Sequence, residues 1–198
     1  MKKLFAIIAV LSICIPTYAQ KFGATIEGGV TVSQIDGDDL SGYHKFGYSF
    51  GASVNRYLYK DILGAEIGIK YLLKGSKAHD LEVHDFYEAN LHYAEIPLIA
   101  FYRITNFYID LGLSFGYLFK AQEDTDGYGF KKPQYKFRKI DLSGVVGARY
   151  SITKNILIGG HLNYSLLAIR QHYTSQETYI IDGQHNNLIN FSLQYVLK

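Results

Sequence analysis

The sequence offers almost nothing for covalent cross-linking, because its only cysteine, Cys14, lies close to its N-terminal end. Lys2 and Lys3 precede an apolar run that ends at Ile15, and Thr17-Tyr18-Ala19 resembles a signal-peptidase site. We therefore expect residues 1–19 to form a secretory signal peptide whose removal also removes Cys14. Ile13 stands where a lipoprotein signal needs a small residue, so lipidation of Cys14 is not expected. A mature chain without thiols has no disulfide framework.

Long hydrophobic runs are missing as well. The apolar part of the N-terminal segment is about 12 residues long, whereas a membrane-spanning helix needs about 20. Polar residues interrupt every later segment before it reaches that length. The sequence therefore predicts an exported chain without a transmembrane helix.

The chain also lacks a large excess of basic or of acidic residues. The chain has 20 basic and 18 acidic residues, and removal of Lys2 and Lys3 leaves 18 of each. A nucleic-acid-binding protein would show a basic excess or a clustered basic face, and neither is expected for this chain. No nucleic-acid partner is expected.

What the sequence does contain is strict alternation of apolar and polar residues. In FYIDLGLSFGYLFK, residues 107–120, one face is wholly apolar and the other carries Asp110, Gly112, Ser114 and Gly116. Period-two alternation of this kind is typical of a β-strand with two unlike faces. Eight such segments follow one another, beginning at Phe22, Lys45 and Leu63 and continuing at 91–103, 107–120, 137–151, 156–169 and 187–198.

The connections between the segments alternate in length. Short turns join the second segment to the third, the fourth to the fifth and the sixth to the seventh. The other four connections, 36–44, 76–90, 121–136 and 170–186, are long and polar. Short turns at one end and long extracellular loops at the other are typical of a transmembrane barrel. The sequence thus predicts an all-β protein, an eight-stranded antiparallel up-and-down transmembrane barrel over residues 20–198.

Two further features favour lipid outside the barrel over a soluble barrel with an apolar interior. Aromatic residues cluster near both ends of the segments, as in the girdles that meet lipid headgroups. The polar face is built mainly from Gly, Ser and Asn with few long charged side chains, as a narrow lumen requires. A lipocalin-like soluble barrel remains the rival, and it would carry many charged residues on its outer face.

The fourth segment contains Tyr93, Glu95, Ile96, Pro97 and Leu98 within LHYAEIPLIAFYR. This stretch resembles the Tyr-x-Glu-Ile-Pro-Leu motif of the PorT-like outer-membrane β-barrel family. FGATIEGGVTVS and GYHKFGYSFGASV are similar to the first hairpin of that family. The resemblance implies an eight-stranded outer-membrane barrel of a Gram-negative bacterium, and it implies no reaction and no cofactor. The final residues, Tyr195-Val196-Leu197-Lys198, depart from the terminal aromatic residue that barrel-assembly machinery reads in many barrels.

Charged residues on the polar face are the candidate site of this chain. They are Glu27, Glu66, Lys70, Glu95, Asp110, Asp141, Arg149 and His161. We read them as a paired polar network that fills a narrow lumen, and a polar pathway or proton relay is the alternative. Similar heights along neighbouring strands predict two ion pairs, Lys70 with Glu95 and Asp110 with Arg149.

Two other groups of residues are weaker candidates for a functional site. His79, Asp80, Glu82, His84 and Asp85 are metal-ligand types, but their spacing matches no known site, so no metal is expected. A rim enzyme acting on lipid would need groups such as Ser165, His172 and Asp182, which could meet only by coincidence. The sequence therefore predicts a non-enzymatic barrel that acts through its four long loops as a structural, adhesion or accessory factor, including a role in secretion. The expected partners are outer-membrane lipid, the barrel-assembly machinery and an envelope or extracellular protein that the loops contact. A narrow pore and a rim enzyme are the alternatives.

Overall fold

We describe the protein from a computed structural model, which covers residues 22–40, 42–78, 86–171 and 183–197. The described residues form eight antiparallel strands, each paired with the next along the chain, and β1 pairs with β8 to close a barrel. The strands are β1 (Phe22–Asp36), β2 (Lys45–Tyr59), β3 (Leu63–Lys77), β4 (Glu88–Ile104), β5 (Phe107–Asp124), β6 (Ile140–Ser151), β7 (Ile156–Ser165) and β8 (His185–Leu197). The predicted up-and-down barrel is confirmed. No helix among these residues is long and apolar enough to cross a membrane.

The apolar face of each strand points away from the barrel axis. In β5, Ile109, Leu111 and Leu113 are 52%, 66% and 41% exposed, whereas Asp110 and Ser114 on the opposite face are 0% and 1% exposed. An apolar outer surface of this extent would be unfavourable in water and is what a lipid bilayer requires. The predicted direction of the two faces is therefore correct, and the soluble rival is wrong.

The predicted strand ends are less accurate. β4 and β5 extend further toward the long loops than predicted, to Glu88 and Asp124, and β6 begins three residues later, at Ile140. Most of the extra residues are polar, and they pair across strands, with Lys77 opposite Glu88 and Glu88 opposite Asp124. Backbone pairing continues beyond the apolar band there, and hydrophobic alternation gives no signal for such strands.

Two irregularities lie in and around β4. Pairing between β3 and β4 stops at Ile67 with Leu98 and resumes, in the same register, at Lys70 with Glu95. Pro97 lies in this gap, because a proline has no N–H to donate to the neighbouring strand. Between β4 and β5 the register shifts by one residue, so that Phe119 is extra on β5.

Candidate functional site

All eight charged residues of the predicted network lie in the barrel interior, and the structure divides them into three groups. Along β3 the groups are marked by Glu66, Lys70 and Lys74, which are four residues apart and face inward. Four strand residues rise roughly 13 Å. We call these the lower, middle and upper groups, with the lower group nearest the short turns.

The lower group is centred on Arg149 of β6. Its guanidinium donates from Nη1 to Glu66 Oε2 at 2.8 Å, and its Nε lies 2.7 Å from Asp110 Oδ2. His161 Nε2 lies 2.9 Å from the same Asp110 oxygen. The predicted pair of Asp110 with Arg149 is therefore present. The guanidinium carbon also lies 5.5 Å from the ring centroids of both Phe101 and Tyr108, so aromatic rings cover the remaining surface of the cation.

The middle group corrects the second predicted pair. Lys70 and Glu95 are directly opposite in the β3–β4 register, yet Lys70 Nζ lies 2.6 Å from Glu27 Oε1 on β1. Gln194 of β8 donates from Nε2 to the other Glu27 oxygen at 3.2 Å. The predicted pair of Lys70 with Glu95 is wrong, because the Lys70 side chain reaches across β2 instead of along its own strand pair.

The upper group lies deepest in the protein. Lys74 is 0% exposed, and its Nζ lies 2.6 Å from Glu95 Oε1 and 3.0 Å from Asp141 Oδ2. Ser114 donates to Glu95 Oε2 at 2.6 Å, and Asn186 donates to Asp141 Oδ2 at 3.0 Å. These bonds connect β3, β4, β5, β6 and β8, so the group cross-links most of the barrel from inside.

Glycine explains which charged residues meet. Three times, two inward-facing polar or charged residues lie on alternate strands with a glycine in register between them. The three triplets are Glu27–Gly51–Lys70, Glu95–Gly116–Asp141 and Asp110–Gly147–His161.

A methyl group at these glycines would occupy the space that the polar groups use. A Cβ at Gly147 would clash with His161 Cδ2, and one at Gly116 would lie 3.3 Å from Glu95 Oε1. Glycine at these positions therefore leaves room for side chains that pass over the intervening strand, as in the contacts of Lys70 with Glu27 and of His161 with Asp110.

An apolar cluster lies above the upper group, toward the long loops. It consists of Ile35, Ala89, Leu91, Tyr93, Leu118, Phe137 and Ile169. Arg170 covers it from outside, with its guanidinium carbon 4.1 Å from the Phe137 ring centroid and its Nη1 2.6 Å from Glu123 Oε1. Tyr87 donates to the same Glu123 oxygen at 2.9 Å, and burial beside that carboxylate raises the pKa of the Tyr87 hydroxyl. The hydroxyl therefore stays protonated and keeps its role as a donor.

The opposite end of the barrel is open. A cavity of about 990 Å³ leads inward from the short turns, where Asp61, Asn106 and Lys154 form part of its rim. Glu66 and Arg149 line its inner part, which means that the lower group forms its floor. The interior is thus accessible from the short-turn end only as far as the first set of ion pairs.

The structure gives no support to the candidate metal site or to the candidate enzyme site at the rim. Residues 79–85, with His79 and His84, lie outside the described residues, as do His172 and Asp182. Ser165 is 0% exposed and accepts a hydrogen bond from Asn186 N at 3.1 Å, so it faces the barrel interior and not the rim. Within the described ranges no group of His, Cys, Asp and Glu could hold a metal ion.

Sequence reasoning missed two features. Lys74 was on the predicted polar face of β3 but was not included in the network, although it is the most buried lysine of the interior. The run KKPQYKFRK at 131–139 contains five basic residues and is the clustered basic segment that the charge analysis overlooked. A window count of charge along the chain would have found it.

Comparison with solved structures gives barrels of the same architecture. The attachment invasion locus protein Ail of Yersinia pestis, solved with the heparin analogue sucrose octasulfate, aligns at 13% identity over 89% of this chain and 99% of that one, with a TM-score of 0.51. Neisserial surface protein A aligns at 12% identity over 88% and 96% of the two chains, with a TM-score of 0.48. A major outer membrane protein of Thermus thermophilus aligns at 11% identity over 89% and 99%, with a TM-score of 0.47.

Comparison of the sequence with curated proteins gives no match. The profile of the family described as outer membrane protein beta-barrel domain matches residues 18–170, which is more than half of the chain. The chain therefore belongs to the family of outer membrane protein β-barrel domains and is an integral protein of the outer membrane.

Proposed function

We propose that the protein is a non-conducting barrel that acts through its long extracellular loops as a structural, adhesion or accessory factor. The observation that carries the proposal is the filling of the lumen by three ionic groups and an apolar cluster, stacked from the short turns to the long loops. Space beside the lumen glycines is also occupied, since a Cβ at Gly64 would clash with Phe101 Cζ. An eight-stranded barrel has an interior about wide enough to be filled by its own side chains.

The long β5–β6 loop supports a role at the cell surface. Tyr128, Phe130 and Tyr135 are 88%, 42% and 47% exposed, and they lie between residues 125 and 139 beyond the ends of both strands. Exposed aromatic side chains are the residues that most often carry the binding energy of protein interfaces. A barrel named for attachment, that of Yersinia pestis, has the same fold. For this chain the adhesion proposal rests on the exposed aromatic residues.

The proposal includes a relation to PorT-like barrels, and with it an accessory role that extends to secretion. Tyr93 and Glu95 of the shared motif are buried in the interior, where Lys74 contacts both of them. Ile96 and Leu98 are exposed on the lipid face. The motif therefore includes residues of the upper group and residues of the outer surface. Other barrels that contain the same motif should have the same filled interior.

Conductance measurements test the filled lumen. We expect the refolded protein to give no steady single-channel steps in a planar bilayer. Shortening both Glu66 and Arg149 to alanine should only deepen the cavity at the short-turn end, because the middle and upper groups and the apolar cluster still close the path. Steady steps from the unmutated protein would contradict the proposal and favour the narrow pore.

Site-specific cross-linking tests the role of the loops. A photoreactive phenylalanine analogue at Tyr128 should yield cross-linked envelope or extracellular proteins in whole cells, since this ring is 88% exposed in the β5–β6 loop. The matched control is the same analogue at Tyr59, which is 57% exposed next to a short turn. Protein adducts from Tyr59 with none from Tyr128 would place the interaction at the periplasmic end and overturn the loop assignment.

A further inference from the structure

The β5–β6 region carries the largest group of unpaired positive charges among the described residues of the long-loop end. Lys120, Lys132, Lys136, Arg138 and Lys139 are all exposed, and none of them forms an ion pair with a described residue. The acidic residues of the same region cannot balance them. Glu123 is buried and paired with Arg170, Asp124 is buried, and Asp126 pairs with Lys131 at 2.9 Å.

Two other lysines at this end of the barrel, Lys45 and Lys77, are each paired with an acidic residue. Lys45 lies 2.7 Å from one oxygen of Glu88, and Lys77 lies 3.0 Å from the other. These two lysines share one carboxylate, whereas the five cations at β5–β6 have no paired carboxylate among the described residues, so the positive charge is concentrated at β5–β6. The overall composition does not show this asymmetry, since basic and acidic residues are nearly equal in number.

Two of the cations lie at the height of the lipid headgroups. Lys139 is held beside the end of β5 by the bond from Leu118 N to Lys139 O, at 2.7 Å. Its Nζ lies 6.0 Å from the ring centroid of Tyr117, which is 46% exposed on the lipid face. The ammonium group is therefore directed along the outer wall of the barrel.

Lys120 has the same relation to the aromatic girdle. It lies opposite His92 in the β4–β5 register and directly follows Phe119, which is 54% exposed. The Phe119 ring lies 6.1 Å from the rings of both His92 and Tyr71, so an aromatic band surrounds the cation on its membrane side. Aromatic girdles mark the level of the headgroups, and lysines next to them extend their charged ends into that layer.

We infer that Lys120, Lys139 and the adjoining Arg138 form a binding surface for the phosphate groups of the glycolipid that makes up the outer leaflet, phosphorylated lipid A. Phosphates are the anions present at headgroup height, and basic residues next to a membrane-spanning segment attract anionic lipid. A soluble anionic glycan would be favoured by cations directed away from the membrane, whereas the contact of Lys139 with Tyr117 directs it toward the lipid. This surface is independent of the filled lumen and of any protein partner of the loop.

Native mass spectrometry of the refolded full chain in detergent micelles tests the inference. We expect tighter binding of bis-phosphorylated lipid A than of the dephosphorylated lipid with the same acyl chains. A double variant, Lys120→Gln with Lys139→Gln, should weaken binding of the phosphorylated lipid roughly 30-fold, because each charge near an anionic lipid surface contributes about a fivefold change in affinity. Circular dichroism of each variant shows that the barrel is folded.

The matched control is Lys60→Gln with Lys154→Gln, two exposed lysines of the short turns. It removes the same charge and should change binding by less than about twofold, since these residues lie at the other end of the barrel. Equal loss in both double variants, or equal binding of the dephosphorylated lipid, would overturn the inference. A second result would also overturn it. In that result, the double variant of Lys120 and Lys139 binds dextran sulfate, a soluble polyanion, more weakly than the unmutated protein does but binds lipid A equally well.

Discussion

Replacing Lys74 with methionine should destabilise the folded barrel by about 3–5 kcal/mol, since it removes the cation that pairs with two buried carboxylates. Glu95 and Asp141 are 2% and 0% exposed and lie on either side of Gly116, where Lys74 Nζ contacts both. Methionine matches the length of the lysine stem but leaves both carboxylates without a counter-ion. Buried charges without partners are among the most costly changes that a fold can undergo. The free energy of unfolding in lipid vesicles, from a urea titration, measures the effect.

Lys77→Met is the matched control for this change. Lys77 lies three residues further along β3, its side chain is 44% exposed, and its partner Glu88 keeps a second contact with Lys45. Loss of such an exposed pair should cost less than about 1 kcal/mol. Equal losses for the two lysine variants would show that the upper group does not stabilise the barrel.

A triple variant separates loss of charge pairing from loss of packing. Adding Glu95→Gln and Asp141→Asn to Lys74→Met removes every formal charge of the upper group while keeping its side chains close to their original size. After Glu95→Gln the side-chain carbonyl can still accept the hydrogen bond that Ser114 donates to the native carboxylate at 2.6 Å. We expect most of the lost stability to return, because replacing a complete buried ion group with neutral residues is often close to neutral.

The orientation of the strands could be predicted from the sequence because lipid and lumen impose opposite polarity on alternate residues. Alternation in residues 107–120 correctly placed Leu111 outside and Asp110 inside. Strand ends were predicted less well, since backbone pairing continues beyond the apolar band through polar residues such as Glu88 and Asp124. Alternation reports the surroundings of each face of a strand, and above the membrane the outer face is no longer apolar.

The pairing of the interior charges could be predicted only in part. Heights along neighbouring strands gave the pair of Asp110 with Arg149, but the same reasoning gave Lys70 with Glu95, which does not form. Lys70 binds Glu27 because Gly51 of the strand between them has no side chain in the way. Such contacts depend on how three consecutive strands are aligned with one another. That alignment depends on the geometry of the turns, which the alternation of residues does not predict.

Replacing Leu111 with arginine should cost about 2–4 kcal/mol, because it places a charge on the lipid face close to the middle of the bilayer. Leu111 is 66% exposed on the outer wall within the apolar run of β5, four residues from the start of the strand. A urea titration of the barrel in phospholipid vesicles measures the loss. Ser114→Ala, which alternation alone suggests as a silent control, is unsuitable because Ser114 donates a hydrogen bond to Glu95 in the upper group.

The better control is Ile104→Arg, which makes a similar change at the last residue of β4, beside a short turn. Ile104 is 50% exposed on the same outer surface, so the two positions differ mainly in depth. An arginine at the interface can extend its guanidinium into water, and its cost should fall to between about 0 and 1 kcal/mol. If the two variants lost equal stability, depth would not matter and the outer face of β5 would not be in contact with the hydrocarbon core. A large loss at Leu111 alone would place that residue in the hydrocarbon core.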